Sequence, residues 1–283
     1  DALTTYNSIV PKELEDLISQ RLKQMNTSTQ IYKEDICNPE IDQVFDQFKP
    51  DVVIHLASFP NKVFVDNNPV EASRSMCLGT ANILDCCTRH KTKKIVYISS
   101  EIVYGNYKNA LEDDKVNPSG QYSIWKIAGE EIVKEYSRAT GQDHVIIRTG
   151  LVYGERDITN RLIGQFFQRA IADDTLYVNG KDSTSDFTYV GDAALGIVLA
   201  SITKNVTGTF NISRGKKEKI LDVAETIVKL VGKGKVKIRA KNKNALSKGI
   251  LDCSKAEEEF KFKPTTNIEE GLKLYYKWLT EIK

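Results

Sequence analysis

Through the first half of the chain, short apolar runs alternate with longer segments in which apolar residues recur every three or four positions. The short runs, at residues 30–33, 52–57, 94–99 and 144–148, predict strands, and the segments at 12–25, 71–89 and 122–140 predict helices. The runs VVIHLA and KIVYIS are almost wholly apolar, as expected of strands covered by helices on both faces. The pattern predicts an α/β fold built on a doubly wound, Rossmann-like parallel sheet.

The alternation of short apolar runs with helical segments ends after residue 148. The segment RTGLVYGERD predicts a loop, residues 162–171 predict a helix, and shorter elements without a clean repeat follow to the end. We therefore predict two lobes that share a cleft. Residues 1–150 form the sheet domain, and residues 151–283 mainly form a smaller C-terminal α/β lobe.

Composition narrows the class of protein. Hydrophobic residues make up 41% of the 283 positions and charged residues 28%, which is typical of a folded globular chain. A net charge of +2 argues against a protein built to bind nucleic acid. The basic run at residues 233–243 is interpreted as a solvated face, with anion contact as the alternative. Because the sequence has no apolar run of roughly 20 residues and no secretory signal at its start, no membrane association is expected and the predicted location is cytoplasmic.

Cysteine and histidine usage predicts neither a disulfide framework nor a metal site. The five cysteines form an odd set without CxxC spacing, and there are only three histidines. We interpret the cysteines as reduced, mostly packed thiols.

One motif of dinucleotide-binding sheets is absent. Such a sheet opens with a strand, a glycine-rich turn and a helix, and an acidic residue near the end of its second strand binds the adenosine ribose. No GxGxxG or GxxGxxG occurs in the sequence, which opens instead with Asp1. We predict that Asp1 is the ribose-binding acid and that a first βα unit is absent from this chain. An acid at that place disfavours a 2′-phosphate and so indicates NAD rather than NADP.

The spacing Tyr-x-x-x-Lys, which can carry proton transfer, occurs three times, beginning at Tyr104, Tyr122 and Tyr177. The first and third spans contain glycine next to asparagine, a pair that favours turns. Only the segment from Tyr122 continues as an amphipathic helix, in which Lys126 shares a face with the tyrosine. A tyrosine that shuttles a proton near pH 7 must overcome a reference pKa of about 10, and a neighbouring ammonium favours the phenolate. The alternative is a packed tyrosine and a solvated lysine.

Ser100 is the third candidate reacting group, at the end of the predicted strand KIVYIS. In open α/β sheets ligands bind at the carboxyl ends of the strands, so Ser100 can hydrogen-bond a substrate oxygen that Tyr122 deprotonates. Its alternative role is to cap the turn that follows.

The segments VYISSEIVYG, YSIWK, IIRTGLVYGER and DFTYVGDAA resemble, in order and spacing, the extended short-chain dehydrogenase/reductases, and especially the UDP-glucose 4-epimerases and related NAD-dependent epimerases and dehydratases. The resemblance covers essentially the whole chain. It implies an epimerase that acts on a nucleotide-diphosphate sugar through a transient 4-keto intermediate, with NAD as cofactor and Tyr122 as acid/base. Residues 1–150 would then bind the dinucleotide and residues 151–283 mainly the substrate. The resemblance also implies a homodimer.

The same resemblance implies roles for further residues. The catalytic set would be Ser100, Tyr122 and Lys126. Cofactor contacts are expected at Asp1, Asp35, Ile36, Leu56, Ala57, Ser58, Tyr122 and Lys126, and substrate contacts at Ser100, Glu101 and Lys248.

Three positions depart from the family pattern. Ser185 stands where an arginine usually pairs with a substrate phosphate, and Leu151 and Met76 stand where asparagines are usual. A serine cannot supply the pair of charge-assisted hydrogen bonds that an arginine gives a diphosphate. Lys248, with the basic run before it, could compensate for that loss.

Two other functions stay open at this point. A sugar dehydratase or reductase of the same family would use the same three reacting groups, although 4,6-dehydratases have an Asp-Glu pair where this chain has Glu101 and Ile102. A non-catalytic, cofactor-binding regulator on the same fold would be expected to lose its reacting groups, and here all three are present. Release of reduced cofactor would separate a reductase from an epimerase, which recycles it.

Overall fold

The computed structural model describes residues 29–60, 62–157, 161–241 and 246–281. Its strands, in chain order, are β1 Val52–His55, β2 Lys94–Ser100, β3 Asn109–Ala110, β4 Asp143–Thr149, β5 Leu151–Tyr153, β6 Thr175–Asn179, β7 Thr184–Ser185, β8 Phe187–Tyr189, β9 Gly208–Ile212, β10 Glu218–Lys219, β11 Lys235–Arg239 and β12 Ile250–Leu251.

The helices cover the strands on both sides. In chain order the α-helices are α1 Ile41–Phe48, α2 Lys62–Asn67, α3 Pro69–Ser73, α4 Gly79–Arg89, α5 Gln121–Thr140, α6 Leu162–Ile171, α7 Val190–Ile202, α8 Ile220–Val231, α9 Ser254–Phe260 and α10 Ile268–Glu281. A π-helical turn, Arg74–Leu78, joins α3 to α4, and a 3-10 turn, Glu101–Tyr104, follows β2.

The larger lobe is built on a parallel sheet in the order β1–β2–β4–β9. Alternate residues of β2 face opposite layers: Ile95 packs with α1, α4 and α5, and Val96 packs with α7 and α9. Both side chains are fully buried. Because both faces of β2 and of the middle of β4 are covered, their sequences are apolar without alternation. The same expectation for β1 is wrong, since Val52 and Ile54 are each 37% exposed. The predicted doubly wound sheet is confirmed.

The smaller lobe has its own core, in which α6, α8 and α10 pack against β6 and β8. The chain after residue 150 contributes to both lobes, because β9 joins the main sheet and α7 covers it. A short parallel pairing of β3 with β12 holds residues 250–251 beside the loop that follows β2. The basic strand β11 is exposed over most of its length.

Two local predictions are wrong. Residues 30–33 contain no strand, and within the described part of the chain β1 pairs only with β2, so nothing there supplies a ladder for that segment. The segment RTGLVYGERD is not only a loop, because its middle forms β5, which pairs with β8. The predicted helix at 12–25 and Asp1 lie outside the described residues.

Candidate active site

Three predicted side chains meet at the carboxyl end of β2, where α5 begins. Ser100 ends the strand, Tyr122 is the second residue of the helix, and Lys126 follows one turn later. The Ser100 hydroxyl lowers the pKa of the Tyr122 phenol, and the Lys126 Nζ lies 5.9 Å from the centre of the Tyr122 ring. Gly120 precedes α5 with a φ of 86°, a backbone conformation that favours glycine and sets the entry angle of the helix.

The other two Tyr-x-x-x-Lys tyrosines lie elsewhere. Tyr104 is buried, and its hydroxyl donates to Asn211 Oδ1 at 2.8 Å. Tyr177 is in β6, with the Arg239 guanidinium stacked 3.3 Å from the centre of its ring. The choice of the pair on α5 therefore agrees with the structure.

Lys126 is a buried amine. Lys126 is 4% exposed, and its Nζ donates to the Ile98 carbonyl of β2 at 2.8 Å. Burial lowers its pKa from 10.5 to about 7; Glu130, one turn further along the helix, raises the pKa, and Arg161 lowers it. An ammonium has three donors. The Ile98 carbonyl is the one acceptor for this group among the described residues, so two donors can serve a ligand.

The Tyr122 phenol lies between charges of opposite sign. Burial raises its pKa, while the Arg161 cation and the hydrogen bond from Ser100 lower it, and the Glu101 carboxylate raises it. The pKa of the phenol therefore depends on three neighbours, and each of them can be changed by mutation.

Arg161 is a site residue that sequence reasoning missed. Its Nη2 donates to the Pro60 carbonyl at 2.9 Å and its Nη1 to the Val152 carbonyl at 3.3 Å, so it ties the loop after β1 to β5. Its charge acts on both Tyr122 and Lys126. It stands in a segment without hydrophobic periodicity, and no motif in the sequence pointed to it.

A buried ion pair supports the helix that carries Tyr122. Arg148 binds both oxygens of Glu130, with Nη2 at 2.7 Å from Oε2 and Nε at 3.0 Å from Oε1. Ser99 donates to the same carboxylate at 2.5 Å. Sequence reasoning missed this pair, because Arg148 and Glu130 lie 18 residues apart, one on β4 and one on α5.

Glu101, expected to contact substrate, is held by two donors. Its side chain is 4% exposed; the Tyr107 hydroxyl donates to Oε2 at 2.5 Å and the Lys248 Nζ donates to Oε1 at 2.7 Å. Lys248, expected to compensate for the missing phosphate-binding arginine, is therefore engaged by Glu101. Its role toward a phosphate stays a prediction.

The loop with Asp35 and Ile36, two of the expected cofactor contacts, packs against the π-helical turn and the start of α4. The Asp35 carboxylate accepts from the Cys37 backbone N–H at 2.9 Å and from Arg74 at 2.8 Å. Ile36 lies so close to Gly79 that a Cβ there would meet the Ile36 side chain at 2.5 Å. Glycine at this position allows the loop to approach the helix.

Leu56, Ala57 and Ser58 follow β1 at the carboxyl edge of the sheet. Leu56 is 61% exposed and Ala57 is exposed as well, while the Ser58 hydroxyl donates to the Phe59 carbonyl at 3.0 Å. Ligands bind at the carboxyl edge of a parallel sheet, and exposed apolar side chains there can contact a dinucleotide. Together with the two open donors of Lys126, they form a surface suited to the nicotinamide half of NAD. The other predicted cofactor residue, Asp1, lies outside the described residues.

Comparison with known proteins gives the family. The model of the NAD dependent epimerase/dehydratase family matches residues 7–213. The chain belongs to this family. The family predicted from the motifs is therefore confirmed, and the catalytic roles of Ser100, Tyr122 and Lys126 stay predictions.

Its relatives span several sugar-nucleotide enzymes. A Methanocaldococcus jannaschii protein, named provisionally as a UDP-glucose 4-epimerase, is 30% identical over 94% of this chain and 89% of its own length. The UDP-glucuronate 4-epimerase of Thermodesulfobacterium geofontis is 28% identical over 92% of this chain and 83% of its own. The crystal structure of the Bacillus cereus UDP-glucuronic acid 4-epimerase with UDP-glucuronic acid and NAD superposes with a TM-score of 0.87, at 27% identity, covering 96% of this chain and 88% of that one.

Proposed function

We propose that this chain is an NAD-dependent 4-epimerase of nucleotide-diphosphate sugars. The observation that carries the proposal is the placement of Tyr122 one helical turn before the buried Lys126, whose Nζ lies 5.9 Å from the Tyr122 ring, at the carboxyl end of the strand that Ser100 closes. The likeness to the Bacillus cereus enzyme, whose structure holds UDP-glucuronic acid and NAD, supports both the cofactor and the substrate class.

The chain's own groups fit the proton steps of such a reaction. Bound NAD would take a hydride from C4 of the sugar and later return it. Ser100 holds the 4-hydroxyl, and Tyr122 accepts its proton as the 4-keto sugar forms. The two open donors of Lys126 hold the cofactor ribose, and the Arg161 cation lowers the pKa of the Tyr122 phenol. After the keto sugar has turned over in the site, Tyr122 returns the proton to O4, so the enzyme ends in its starting state.

The dehydratase alternative is less well supported. Elimination of water from the sugar needs a further acid and base, and the position after Glu101 is the apolar Ile102. Glu101 itself accepts hydrogen bonds on both oxygens, from Tyr107 and Lys248. A carboxylate committed in this way is a poor proton donor, which favours the epimerase.

The proposal is tested by incubating the protein and NAD with a panel of UDP-, GDP- and dTDP-sugars and identifying the products. Inversion at C4 without accumulation of reduced cofactor is the expected result. Tyr122→Phe should abolish turnover while leaving NAD binding largely intact. Failure of every sugar nucleotide, together with reduction of NAD by a simple alcohol, would show that the chain is a reductase or dehydrogenase instead.

We also propose a cytoplasmic homodimer. Large apolar side chains lie exposed on neighbouring elements, with Val63 at 65%, Val70 at 75%, Leu78 at 55% and Ile124 at 48%. A second copy that covers this face with the same helices would bury them. Sedimentation equilibrium should give twice the chain mass, and Val70→Glu should shift the equilibrium toward monomer. No helix among the described residues is long and apolar enough to cross a membrane.

A further inference from the structure

The end of β2 and the first half of α5 are joined by polar contacts at two consecutive strand residues. The Ile98 carbonyl accepts from the Lys126 Nζ at 2.8 Å. At the next residue, the Ser99 hydroxyl donates to Glu130 Oε1 at 2.5 Å. Because Lys126 and Glu130 are four residues apart on α5, both contacts use one face of the helix. The end of the strand is therefore fixed to the helix that carries the candidate acid/base.

The acceptor of the serine is itself held rigidly. Glu130 is fully buried, and Arg148 of β4 binds both of its oxygens, with Nη2 at 2.7 Å from Oε2 and Nε at 3.0 Å from Oε1. Arg148 lies opposite Ser99 in the register of β2 and β4, and its Nη1 donates to the Glu112 carbonyl at 3.0 Å. A buried carboxylate with several fixed donors is confined to one arrangement. The hydrogen bond from Ser99 thus attaches β2 to a fixed point on α5.

The rest of this buried network does not use the serine. The Arg148 guanidinium lies 4.8 Å from the centre of the Tyr104 ring, and the Tyr104 hydroxyl donates to Asn211 Oδ1 at 2.8 Å. The Asn211 backbone N–H donates to Glu112 Oε1 at 2.8 Å. These contacts join β4, β9 and the loop after β2. Loss of the Ser99 hydroxyl leaves them in place, so the fold has a support that does not depend on it.

The position of the strand end matters for the proposed reaction. Ser100 closes β2 and Tyr122 is the second residue of α5, so the separation of the hydroxyl and the phenol follows from the way the strand end lies against the helix. Ser99 faces α5 together with Tyr97, two residues earlier on the same face of the strand. Its hydrogen bond therefore joins strand and helix one residue from Ser100. A misplacement of about 1 Å can lower a reaction rate about hundredfold.

We propose that Ser99 is a positioning residue for the proton transfer. Its hydrogen bond to Glu130 sets the end of β2 against α5 and so fixes the Ser100 hydroxyl relative to the Tyr122 phenol. Since Ser99 is 2% exposed, it acts through these neighbours. The inference rests on the proposed epimerase function and adds to it a residue outside the predicted catalytic set.

The test compares kcat, KM and the dissociation constant of NAD for the wild type, Ser99→Ala and Ser99→Cys, with the sugar nucleotide that the wild type turns over best. Both variants remove the hydroxyl, and cysteine fills its space with a weak donor. We expect kcat to fall about tenfold or more while KM and the dissociation constant stay within about twofold, because the contact aligns reacting groups. The isotope effect of a C4-deuterated sugar on kcat should rise, since the chemical step then limits turnover.

Two further variants serve as controls. Ser99→Thr keeps a hydroxyl at this position and should retain most of kcat. Ser201→Ala is the matched control, because Ser201 is also a buried serine and its hydroxyl donates to the Val198 carbonyl at 2.7 Å within α7, on the other face of the sheet. It should leave all three constants unchanged.

Several outcomes would overturn the inference. One is a wild-type kcat in both Ser99→Ala and Ser99→Cys. Another is weaker binding of the sugar and NAD with an unchanged isotope effect, which is the signature of general loosening. Failure of both variants to fold by circular dichroism, or a folded Ser99→Thr as impaired as Ser99→Ala, would also contradict it. A wild type that turns over no sugar nucleotide would remove the epimerase proposal together with the inference, whereas the other outcomes leave that proposal standing.

Discussion

Replacing Lys126 with methionine should stabilise the folded protein while it abolishes catalysis. Burial lowers the pKa of this lysine from 10.5 to about 7. Between pH 7 and pH 10.5 the unfolded chain keeps a proton on this lysine that the native state has lost. The free energy of unfolding therefore rises as the pH rises from 7 to 10.5. At pH 7 this difference corresponds to about 4 kcal/mol of lost stability. Methionine keeps the apolar stem but gives up the hydrogen bond to the Ile98 carbonyl, about 1 kcal/mol, which leaves a net gain of about 3 kcal/mol.

The assay is urea unfolding of the wild type and Lys126→Met at pH 7 and pH 9.5 in the absence of NAD. The advantage of the variant should be about 3 kcal/mol at pH 7 and should nearly vanish at pH 9.5, because the proton that only the unfolded wild type keeps is bound less favourably as the pH approaches 10.5. Lys134→Met, an exposed position on the same helix, is the control and should change stability by less than about 0.5 kcal/mol. A variant less stable than the wild type at pH 7, or an advantage that does not depend on pH, would refute the reasoning.

Other positions give further tests. Gly79→Ala should raise the dissociation constant for NAD by up to about tenfold, because its Cβ would displace Ile36 from the helix; an unchanged constant in a calorimetric titration would mean that this loop does not contact the cofactor. Glu130→Gln should lower the free energy of unfolding by about 3–5 kcal/mol, since it leaves Arg148 buried without its partner; a loss no larger than that of Glu131→Gln in urea would contradict this. Arg161→Gln should move the pH dependence of kcat/KM that reports Tyr122 to higher pH, because Arg161 lowers the pKa of the phenol; a shift to lower pH would count against the assigned charge effect.

The elements that could be predicted from sequence are those whose pattern is dictated by burial. The strands at 94–99 and 144–148 and the helix at 122–140 agree with the structure to within about a residue at each end, and the helix at 162–171 agrees at both ends. The two strands are buried on both faces, and the two helices have a regular apolar stripe. Such patterns leave few alternatives, since another register would expose the apolar side chains.

The local predictions that failed depended on partners distant in sequence. The apolar content of residues 30–33 suggested a strand, but a strand also needs a neighbouring ladder, which the described residues do not provide there. The segment after Arg148 looked irregular because it holds glycines and charges, yet β5 forms where it meets β8. Local composition carries no information about such pairings.

The same division holds in the candidate site. The grouping of Ser100, Tyr122 and Lys126 could be predicted because a strand end and one helical turn fix their relative positions. Arg161 and the pairing of Glu101 with Lys248 could not, since both join segments far apart in the chain. These long-range contacts set the electrostatic surroundings of the Tyr122 phenol. The sequence could therefore predict the type of reaction better than it could predict the substrate.

The central claim is that one hydride leaves C4 and returns to it while Tyr122 moves only the proton of the 4-hydroxyl. A sugar nucleotide deuterated at C4, incubated with the protein and NAD in ordinary water, tests this directly by mass spectrometry and NMR of the product. The account predicts an inverted product that keeps its deuterium at C4. Inversion with exchange of that deuterium for solvent hydrogen would mean that the carbon is deprotonated instead, and the proposed roles of NAD and Tyr122 would be wrong.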